Sequence, residues 1–294
     1  MLLQLIISGI LLGGVYALTS MGLSLVFGVS KITNFAHGDF VVIGMYAALS
    51  IYYVTGLVPY FSWIFVIPIS FGIGWLAFQL IKRTIGGDHL NQIFITIGLS
   101  MIIQNLILML YKSDYRTMKS LFDSSLKIGE IYISYESLLA FGIAVIVTAG
   151  FLWFLNKTDL GRAMRAVSQD KSAASLMGVK VEKINVIAFG LGISMAGLAG
   201  SLLLTMYAAY PTAGGVYNLL SWVIVVLGGL GQVGGALAAA FLIGICETLT
   251  GFYIGPDFRQ VVYYLFFIAI LIVKPQGLFS GIKLHKKVKD EVTE

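Results

Sequence analysis

The amino-acid sequence predicts an all-α fold, a polytopic transmembrane helical bundle of about 8-9 spans. Two observations carry this prediction. Of the 294 residues, 58% are hydrophobic and only 11% are charged, whereas a soluble domain has roughly 45–50% apolar and about 25% charged residues. The apolar residues also form long runs, and about 20 apolar residues in a helix cross the hydrocarbon core of a bilayer. Lipid is therefore the expected solvent for most of the surface.

Apolar runs mark the predicted spans, at approximately 3–29, 38–57, 61–81, 92–111, 138–155, 186–207 and 259–274. A further apolar stretch, 216–249, is interrupted by glycines at 228–235 and is predicted to form two spans, the first of them short. The total is nine, or eight if one of these two enters and leaves on the same side. Non-helical backbone within a membrane must be buried in protein or line a watery path. Gly228, Gly229 and Gly231 are therefore candidate pathway residues.

The positions of lysine and arginine predict the orientation, because cytoplasmic loops near the span ends carry an excess of both. With nine spans and an external N-terminus, 14 of the 19 basic residues lie inside. The loop after the fifth span and the C-terminal tail are then cytoplasmic. The chain is accordingly divided into one transmembrane domain, 1–282, and a cytoplasmic basic tail, 283–294. The net charge of +5 follows from this topology and does not indicate a nucleic-acid partner.

The cytoplasmic loop 158–183 has the apolar spacing of two short helices outside the membrane. Asp159 is a candidate cap of the first helix, and Ser168 is a candidate start of the second. Gly178 either ends the second helix or lets a partner surface approach closely. These helices either rest on lipid headgroups or bind a protein partner. The apolar residues of the loop recur at helical intervals and are Leu160, Ala163, Met164, Val167, Ala174 and Met177.

Three motifs resemble those of one transporter family. The loop contains Ala173-Ala174-Ser175-Leu176-Met177-Gly178. This run resembles the A-A-x-x-x-G core of the EAA loop in permeases of ATP-binding-cassette (ABC) importers, with Ser172 in place of the acidic residue. After the first span comes Asn34-Phe35-Ala36-His37-Gly38-Asp39, which is similar to the N-F-A-H-G-[DE] signature of the branched-chain amino acid permeases. The third motif is the glycine run from Gly228. The chain therefore resembles the Liv-type permeases over nearly its whole length.

This resemblance implies a permease subunit of an ABC importer for branched-chain or related hydrophobic amino acids, in the inner membrane of a bacterium or archaeon. It also implies a second homologous permease in a heterodimer, two cytoplasmic ABC ATPases and an extracytoplasmic substrate-binding protein. In that family the loop carries a coupling helix that docks on the ATPase. The corresponding residues here are Arg162, Arg165, Ser172, Ala173, Ala174, Met177 and Gly178.

The sequence contains no phosphate-binding motif of the form G-x-x-x-x-G-K-[ST]. ATP would therefore be hydrolysed by the partner subunits, and no cofactor is expected on this chain.

Asn34, His37 and Asp39 lie at the start of the second span, near the predicted inner gate. We interpret them as side chains that tie the backbone there, because the first turn of a helix leaves N–H groups without partners. A histidine beside an aspartate is also a pattern of proton relays and metal sites. No other histidine falls in a predicted span, so a metal site is not expected.

Glu247, Gln104 and Asn105 are polar residues inside predicted spans. A carboxylate at the centre of a bilayer costs roughly 2.5–3.5 kcal/mol on insertion scales, so Glu247 requires a partner or water. It either lines a substrate vestibule or forms hydrogen bonds between helices. The two amides are open to the same two interpretations.

Two other classes of function are open at the level of sequence. A secondary transporter or channel for a small polar solute, such as urea or an amide, would work without ATPase subunits and would use Glu247 and broken helices as its site. An intramembrane enzyme would use His37 and Asp39 as acid and base, but the sequence places no nucleophile beside them. No enzymatic activity is therefore expected.

Overall fold

The structure is a computed structural model that describes residues 1–84, 89–118, 125–128, 131–274 and 277–278. The predicted basic tail, 283–294, lies outside these residues. The described elements in chain order are α1 (Leu2–Ser30), α2 (His37–Thr55), α3 (Pro59–Ile81), α4 (His89–Tyr111), β1 (Ser125–Ile128), β2 (Ile131–Ser134), α5 (Tyr135–Lys157), α6 (Asp159–Gln169), α7 (Lys171–Leu176), α8 (Val181–Leu203), α9 (Gly214–Gly228), α10 (Val233–Tyr253) and α11 (Arg259–Val273). Short 3-10 turns follow α3 (Lys82–Thr84) and lead into α9 (Pro211–Ala213) and α11 (Pro256–Phe258).

Within the described residues, nine helices are long and apolar enough to cross a membrane, counting the adjoining 3-10 turns. The two short helices, α6 and α7, are the exceptions. The strands β1 and β2 form one antiparallel hairpin. The prediction of an all-α membrane bundle is therefore confirmed, and the apolar stretch 216–249 forms two helices, α9 and α10, as expected.

The bundle has two ends, which we call the α6–α7 end and the hairpin end after the elements that lie there. At the α6–α7 end, Lys171 of α7 donates a hydrogen bond to the carbonyl of Ser30, the last residue of α1, at 2.9 Å. At the hairpin end, Gln4 donates to the carbonyl of Tyr132 in β2 at 3.4 Å. Helix α1 therefore runs from one end of the bundle to the other, over about 43 Å at 1.5 Å per residue.

Glycines bring the backbone of α1 into contact with its neighbours. Gly13 lies directly against the backbone of α10. Further along α1, Gly22 touches Gly192 of α8, and Gly28 touches Gly231 in the turn between α9 and α10. Small residues allow this approach, which is how membrane helices gain packing contacts where lipid removes the hydrophobic driving force. The position of α1 at the centre of the bundle follows from these contacts.

Helices α2 and α8 cross at an equally short distance. A methyl group on Gly44 would overlap the carbonyl oxygen of Gly197, and one on Gly200 would overlap the carbonyl oxygen of Val41. The crossing therefore requires glycine on both helices.

The connection between α1 and α2 turns back into the bundle. Lys31 ends α1 in the left-handed conformation, with φ 58°. The ring Nε2 of His37, the first residue of α2, lies 2.9 Å from the carbonyl oxygen of Thr19. Thr19 is about three turns, or about 16 Å, before the end of α1. The segment 31–36 therefore returns from the α6–α7 end to roughly the middle of the bundle without forming a helix.

Burial in protein permits this non-helical backbone at membrane depth. Ile32, Asn34 and Ala36 are fully buried. The sequence predicted the first residue of the second span to within one residue. It placed that residue at the cytoplasmic end of the bundle, whereas the structure places it at mid-depth. It also expected the irregular backbone at 228–235. The structure forms a turn there at the α6–α7 end, between α9 and α10.

We predict that Gly44→Ala destabilises the bundle by about 1–3 kcal/mol, the usual cost of overpacking, because its methyl group would overlap a backbone carbonyl. Gly72→Ala is the matched control, since Gly72 lies in α3 with open space around it. Thermal unfolding in detergent should show a lower midpoint for Gly44→Ala and an equal or slightly higher one for Gly72→Ala. Equal midpoints for wild type and Gly44→Ala would contradict the close crossing of α2 and α8.

Candidate functional site

The predicted coupling loop forms two short helices, each capped by a side chain. The hydroxyl of Thr158 accepts a hydrogen bond from the N–H of Gly161 at 3.1 Å, at the start of α6. The carboxylate of Asp170 accepts from the N–H groups of Ser172 and Ala173 at 2.8 and 3.0 Å, at the start of α7. Each cap satisfies N–H groups that a first helical turn leaves without partners. The loop is therefore ordered although it lies outside the apolar spans.

The expected caps, Asp159 and Ser168, are not the residues that cap these helices. Asp159 is already inside α6, where its carboxylate pairs with Arg162 one turn later. The hydroxyl of Ser168 donates to the carbonyl of Arg165 at 2.8 Å, within the same helix. Because α6 continues past Ser168, the break between the two helices falls at Asp170.

One face of the loop is fixed to the membrane helices. Met164 and Val167 are buried. Gly161 is packed so closely on the end of α5 that a side chain would overlap the carbonyl of Leu155. The guanidinium of Arg165 donates a hydrogen bond to that same carbonyl, which is one of the acceptors that a helix C-terminus leaves free. These contacts attach α6 to the end of α5.

The other face of α7 is exposed. Ser172 and Ala173 are exposed, and Leu176 and Met177 are 89% and 85% exposed. Two adjacent large apolar side chains outside the spans indicate a surface that another molecule covers. Leu176 belongs to this surface, although the motif did not single it out. The signal for it is its apolar character directly beside Met177.

Helix α7 ends in a glycine turn. Gly178 has φ 85°. Its N–H bonds to the carbonyl of Ser175, and the N–H of Val179 bonds to the carbonyl of Ala174, both at 3.0 Å. This pattern ends a helix and satisfies its last carbonyls. A side chain at Gly178 would have no atom beyond its chain neighbours within 4 Å, so the turn both caps the helix and leaves open space beside it.

Lys171 connects α7 to the end of α1. Its ammonium group donates a hydrogen bond to the carbonyl of Ser30. The hydroxyl of Ser30 in turn donates to the side chain of Asn185 in α8 at 3.3 Å. Burial, and secondly the nearby ammonium of Lys31, lower the pKa of Lys171. The last carbonyls of a helix carry partial negative charge, which favours a cation there. The loop is therefore bonded to the residue at which the chain turns back into the bundle.

The signature residues 34–39 hold the start of α2 inside the bundle. The side-chain oxygen of Asn34 accepts from the N–H of Ala36 at 3.0 Å, and His37 bonds to a carbonyl of α1. The ring of Phe35 lies 5.9 Å from the ring of Trp222 in α9. These contacts tie the backbone as the sequence suggested, but they do so at mid-depth.

Asp39 and Gln104 pair inside the membrane. The amide nitrogen of Gln104 in α4 donates to Oδ1 of the buried Asp39 at 3.0 Å. The carboxylate also lies beside Gly214, the first residue of α9, and helix N-termini favour negative charge. Asn105 is separate from this pair, because it is exposed and donates to the carbonyl of Met101 in its own helix at 2.8 Å. The two adjacent amides therefore have different surroundings.

Glu247 is buried beside a cavity of about 220 Å³ at the hairpin end. Its carboxylate accepts a hydrogen bond from the hydroxyl of Tyr207 at 3.3 Å and another from the hydroxyl of Tyr263. Nη1 of Arg259 lies 3.6 Å from Oε1. The partners that a carboxylate in this position requires therefore come from α11 and from the connection between α8 and α9. Glu247 therefore forms contacts between helices and also lines a cavity.

The predicted residues thus form separate groups at different depths. The loop lies at the α6–α7 end, together with Gly228, the last residue of α9, and with Gly229 and Gly231 in the turn that follows. The signature residues and Gln104 lie deeper, and Glu247 lies near the hairpin end. In the part of the chain that the structure describes, no three His, Cys, Asp or Glu side chains are grouped to bind a metal ion.

In the residues that the structure describes, nine apolar helices, with two capped helices attached at one end, define a multi-pass membrane protein. The chain belongs to the family described as branched-chain amino acid transport system, permease component, which it matches over residues 5–271. The resemblance drawn from the three sequence motifs is confirmed.

Individual permeases match almost the whole chain. The high-affinity branched-chain amino acid transport system permease protein BraD of Pseudomonas aeruginosa is 28% identical over 302 residues, which cover 97% of each chain. The corresponding protein LivH of Escherichia coli is 28% identical over 300 residues, again 97% of each. The ribose import permease protein RbsC of Bacillus subtilis is 34% identical over 110 residues, 35% of this chain. No solved structure matches.

We predict that Gln104→Leu lowers the thermal unfolding midpoint in detergent, because a buried carboxylate loses a donor at a cost of about 1–3 kcal/mol. Asn105→Leu is the matched control and should leave the midpoint unchanged, since that amide bonds only within its own helix. Asp39→Leu combined with Gln104→Leu should cost less than the sum of the two single changes. Equal losses for the two amide variants would argue against the pair.

Proposed function

We propose that this chain is the membrane-spanning permease subunit of an ABC importer for branched-chain or related hydrophobic amino acids. The observation that carries the proposal is the α6–α7 loop, which is fixed to the membrane helices on one face and exposes Leu176 and Met177 on the other. The relatives BraD and LivH are named for branched-chain amino acid transport, which supports the substrate class.

The exposed end of α7 is the docking element for an ATPase subunit. Ser172 and Ala173 are small and exposed, so the backbone of α7 can approach a groove closely. Leu176 and Met177 supply apolar anchors at its end, as helices that bind in grooves do. A pair of helices resting on lipid headgroups would instead turn its apolar residues towards the membrane. That competing arrangement does not account for two apolar side chains that project away from the fixed face.

A displacement of α7 reaches the membrane helices through two attachments. Arg165 joins α6 to the end of α5, and Lys171 joins α7 to the end of α1. Because short capped helices are rigid, they transmit a push from a partner domain as a lever does. The second attachment ends at Ser30, directly before the non-helical segment 31–36. We therefore assign the gate to this segment and to the signature residues that follow it.

The proposal assigns four kinds of partner. The lipid bilayer surrounds the spans, and a second homologous permease completes a heterodimer. Two cytoplasmic ABC ATPases bind the loops of the two permeases, and an extracytoplasmic substrate-binding protein delivers the amino acid. The need for separate ATPases is supported by the sequence, which contains no phosphate-binding motif of its own. In this arrangement the α6–α7 end and the tail 283–294 are cytoplasmic, as the excess of lysine and arginine indicates.

A crosslinking experiment tests the docking surface. Met177→Cys on a Cys246→Ser background carries one thiol, because Cys246 is the sole cysteine of the chain. In membranes that contain the complete transporter, a thiol-reactive photocrosslinker at this position should join the chain to its ATPase. Thr55→Cys on the same background is the control, since Thr55 is exposed at the other end of α2. Absence of an ATPase adduct from Met177→Cys, or equal adducts from both positions, would contradict the proposal.

We also predict that Leu176→Asp lowers amino-acid uptake at least about tenfold, because burying an unpaired charge in a docking groove costs more than about 1.4 kcal/mol. The ATPase should copurify poorly with this variant. Leu176→Met keeps the apolar contact and should retain both uptake and copurification. Normal uptake by Leu176→Asp would contradict the assignment of α7 to the interface with the ATPase.

A further inference from the structure

The cavity beside Glu247 contains one charge of each sign. Among the described residues that line it, Glu247 and Arg259 are the charged ones. The side chain of Arg259 is 32% exposed and that of Glu247 is 5% exposed, while Pro256 and Gln260 on the same wall are exposed. The cavity therefore extends from a buried carboxylate to the surface at the hairpin end of the bundle, and its net charge is zero.

The carboxylate of Glu247 can accept one more hydrogen bond. An ionised carboxylate has about four acceptor sites. Two of them, on Oε1, face the hydroxyl of Tyr207 and the guanidinium of Arg259. A third, on Oε2, accepts from Tyr263. The remaining site on Oε2 is suited to a donor that carries a positive charge.

The guanidinium of Arg259 also keeps unused donors. Its Nη1 faces Glu247, whereas its Nε has no hydrogen-bond partner. A guanidinium has five N–H donors in a planar arrangement that matches a carboxylate. Gly251 of α10 leaves the room that this side chain occupies, because a methyl group there would lie 2.6 Å from Nε. Because Nε is buried beside Gly251, the donors left for an anion in the cavity are the remaining N–H groups of Nη1 and Nη2.

Tyrosine rings supply much of the remaining wall. Tyr16, Tyr210 and Tyr217 line the cavity together with Val216 and Leu220. Aromatic rings with a polar tip bind apolar groups while their hydroxyls stay hydrogen-bonded. The volume of about 220 Å³ equals that of about seven water molecules at roughly 30 Å³ each. A single small amino acid fits this space.

We propose that this cavity is a weak binding site for a free zwitterionic α-amino acid with an apolar side chain. The ammonium group lies at Glu247, the carboxylate at Arg259, and the side chain against the tyrosine rings. A zwitterion can pair with both Glu247 and Arg259, whereas a cation or an anion alone would pair with only one of them. The inference rests on the proposed function, and it adds a site that the substrate occupies near the hairpin end during transport. Binding is weak because a transport site must release what it binds.

Protection of a thiol tests this site on the full chain in membranes. Val216→Cys on the Cys246→Ser background places one thiol in the wall of the cavity with little change in side-chain size. A membrane-impermeant maleimide should label it. With a Kd of about 1 mM, L-leucine at about 10 mM should slow labelling about tenfold. Thr55→Cys, outside the cavity, should be labelled at the same rate with and without leucine.

Two analogues separate the two charged contacts. L-Leucinamide lacks the carboxylate and 4-methylpentanoate lacks the ammonium, so neither should protect Val216→Cys at the concentration at which leucine does. Adding Arg259→Gln should abolish protection by leucine, and Tyr263→Phe should weaken it more than Tyr264→Phe, whose ring lies outside the cavity wall.

Three results would overturn the proposal. They are no labelling of Val216→Cys at all, no protection by leucine, and equal protection by leucine and both analogues. Each leaves the ATPase crosslink at Met177 unaffected, so failure of this site and failure of the proposed function are distinguishable.

Discussion

Backbone polar groups inside a membrane must find partners within the protein, and this constraint decides where the chain can leave the helical conformation. Segment 31–36 meets the constraint in two ways. Protein buries Ile32, Asn34 and Ala36. The side chain of Asn34 accepts from the N–H of Ala36, and His37, the first residue of α2, bonds to the carbonyl of Thr19. The close packing of α1 on its neighbours makes this burial possible. The non-helical segment is therefore stabilised by specific contacts within the fold.

In our proposal, the position of this interruption links the loop to the interior of the bundle. Lys171 bonds to the carbonyl of Ser30, and Ser30 immediately precedes the segment that returns to mid-depth. A helix transmits displacement along its axis, whereas a non-helical segment can change its dihedral angles locally. In our proposal, movement of the exposed α7 is therefore delivered to a part of the backbone that can change its conformation locally. The charged pair Glu247–Arg259 lies at the other end of the bundle, so loop and cavity occupy opposite ends of the transport path in our proposal.

Much of this arrangement could be predicted from the sequence, because lipid imposes a simple pattern of long apolar runs. The division of 216–249 into α9 and α10 followed from its glycines, and the two loop helices followed from the spacing of Met164, Val167 and Ala174. The depth of His37 could not be predicted, since hydropathy does not show that a chain turns back along a helix it has just left. The partners of Glu247 could not be predicted either, because Tyr207, Arg259 and Tyr263 contact it only through tertiary packing.

The central claim is that movement of α7 reaches segment 31–36 through Lys171. Hydrogen–deuterium exchange of the complete transporter, with and without a non-hydrolysable ATP analogue, measures this most directly. The account predicts that nucleotide changes exchange in 31–36 and that Lys171→Met abolishes this change while exchange in the β1–β2 hairpin stays the same. Exchange in 31–36 that is insensitive to nucleotide, or equally sensitive with Lys171→Met, would contradict it.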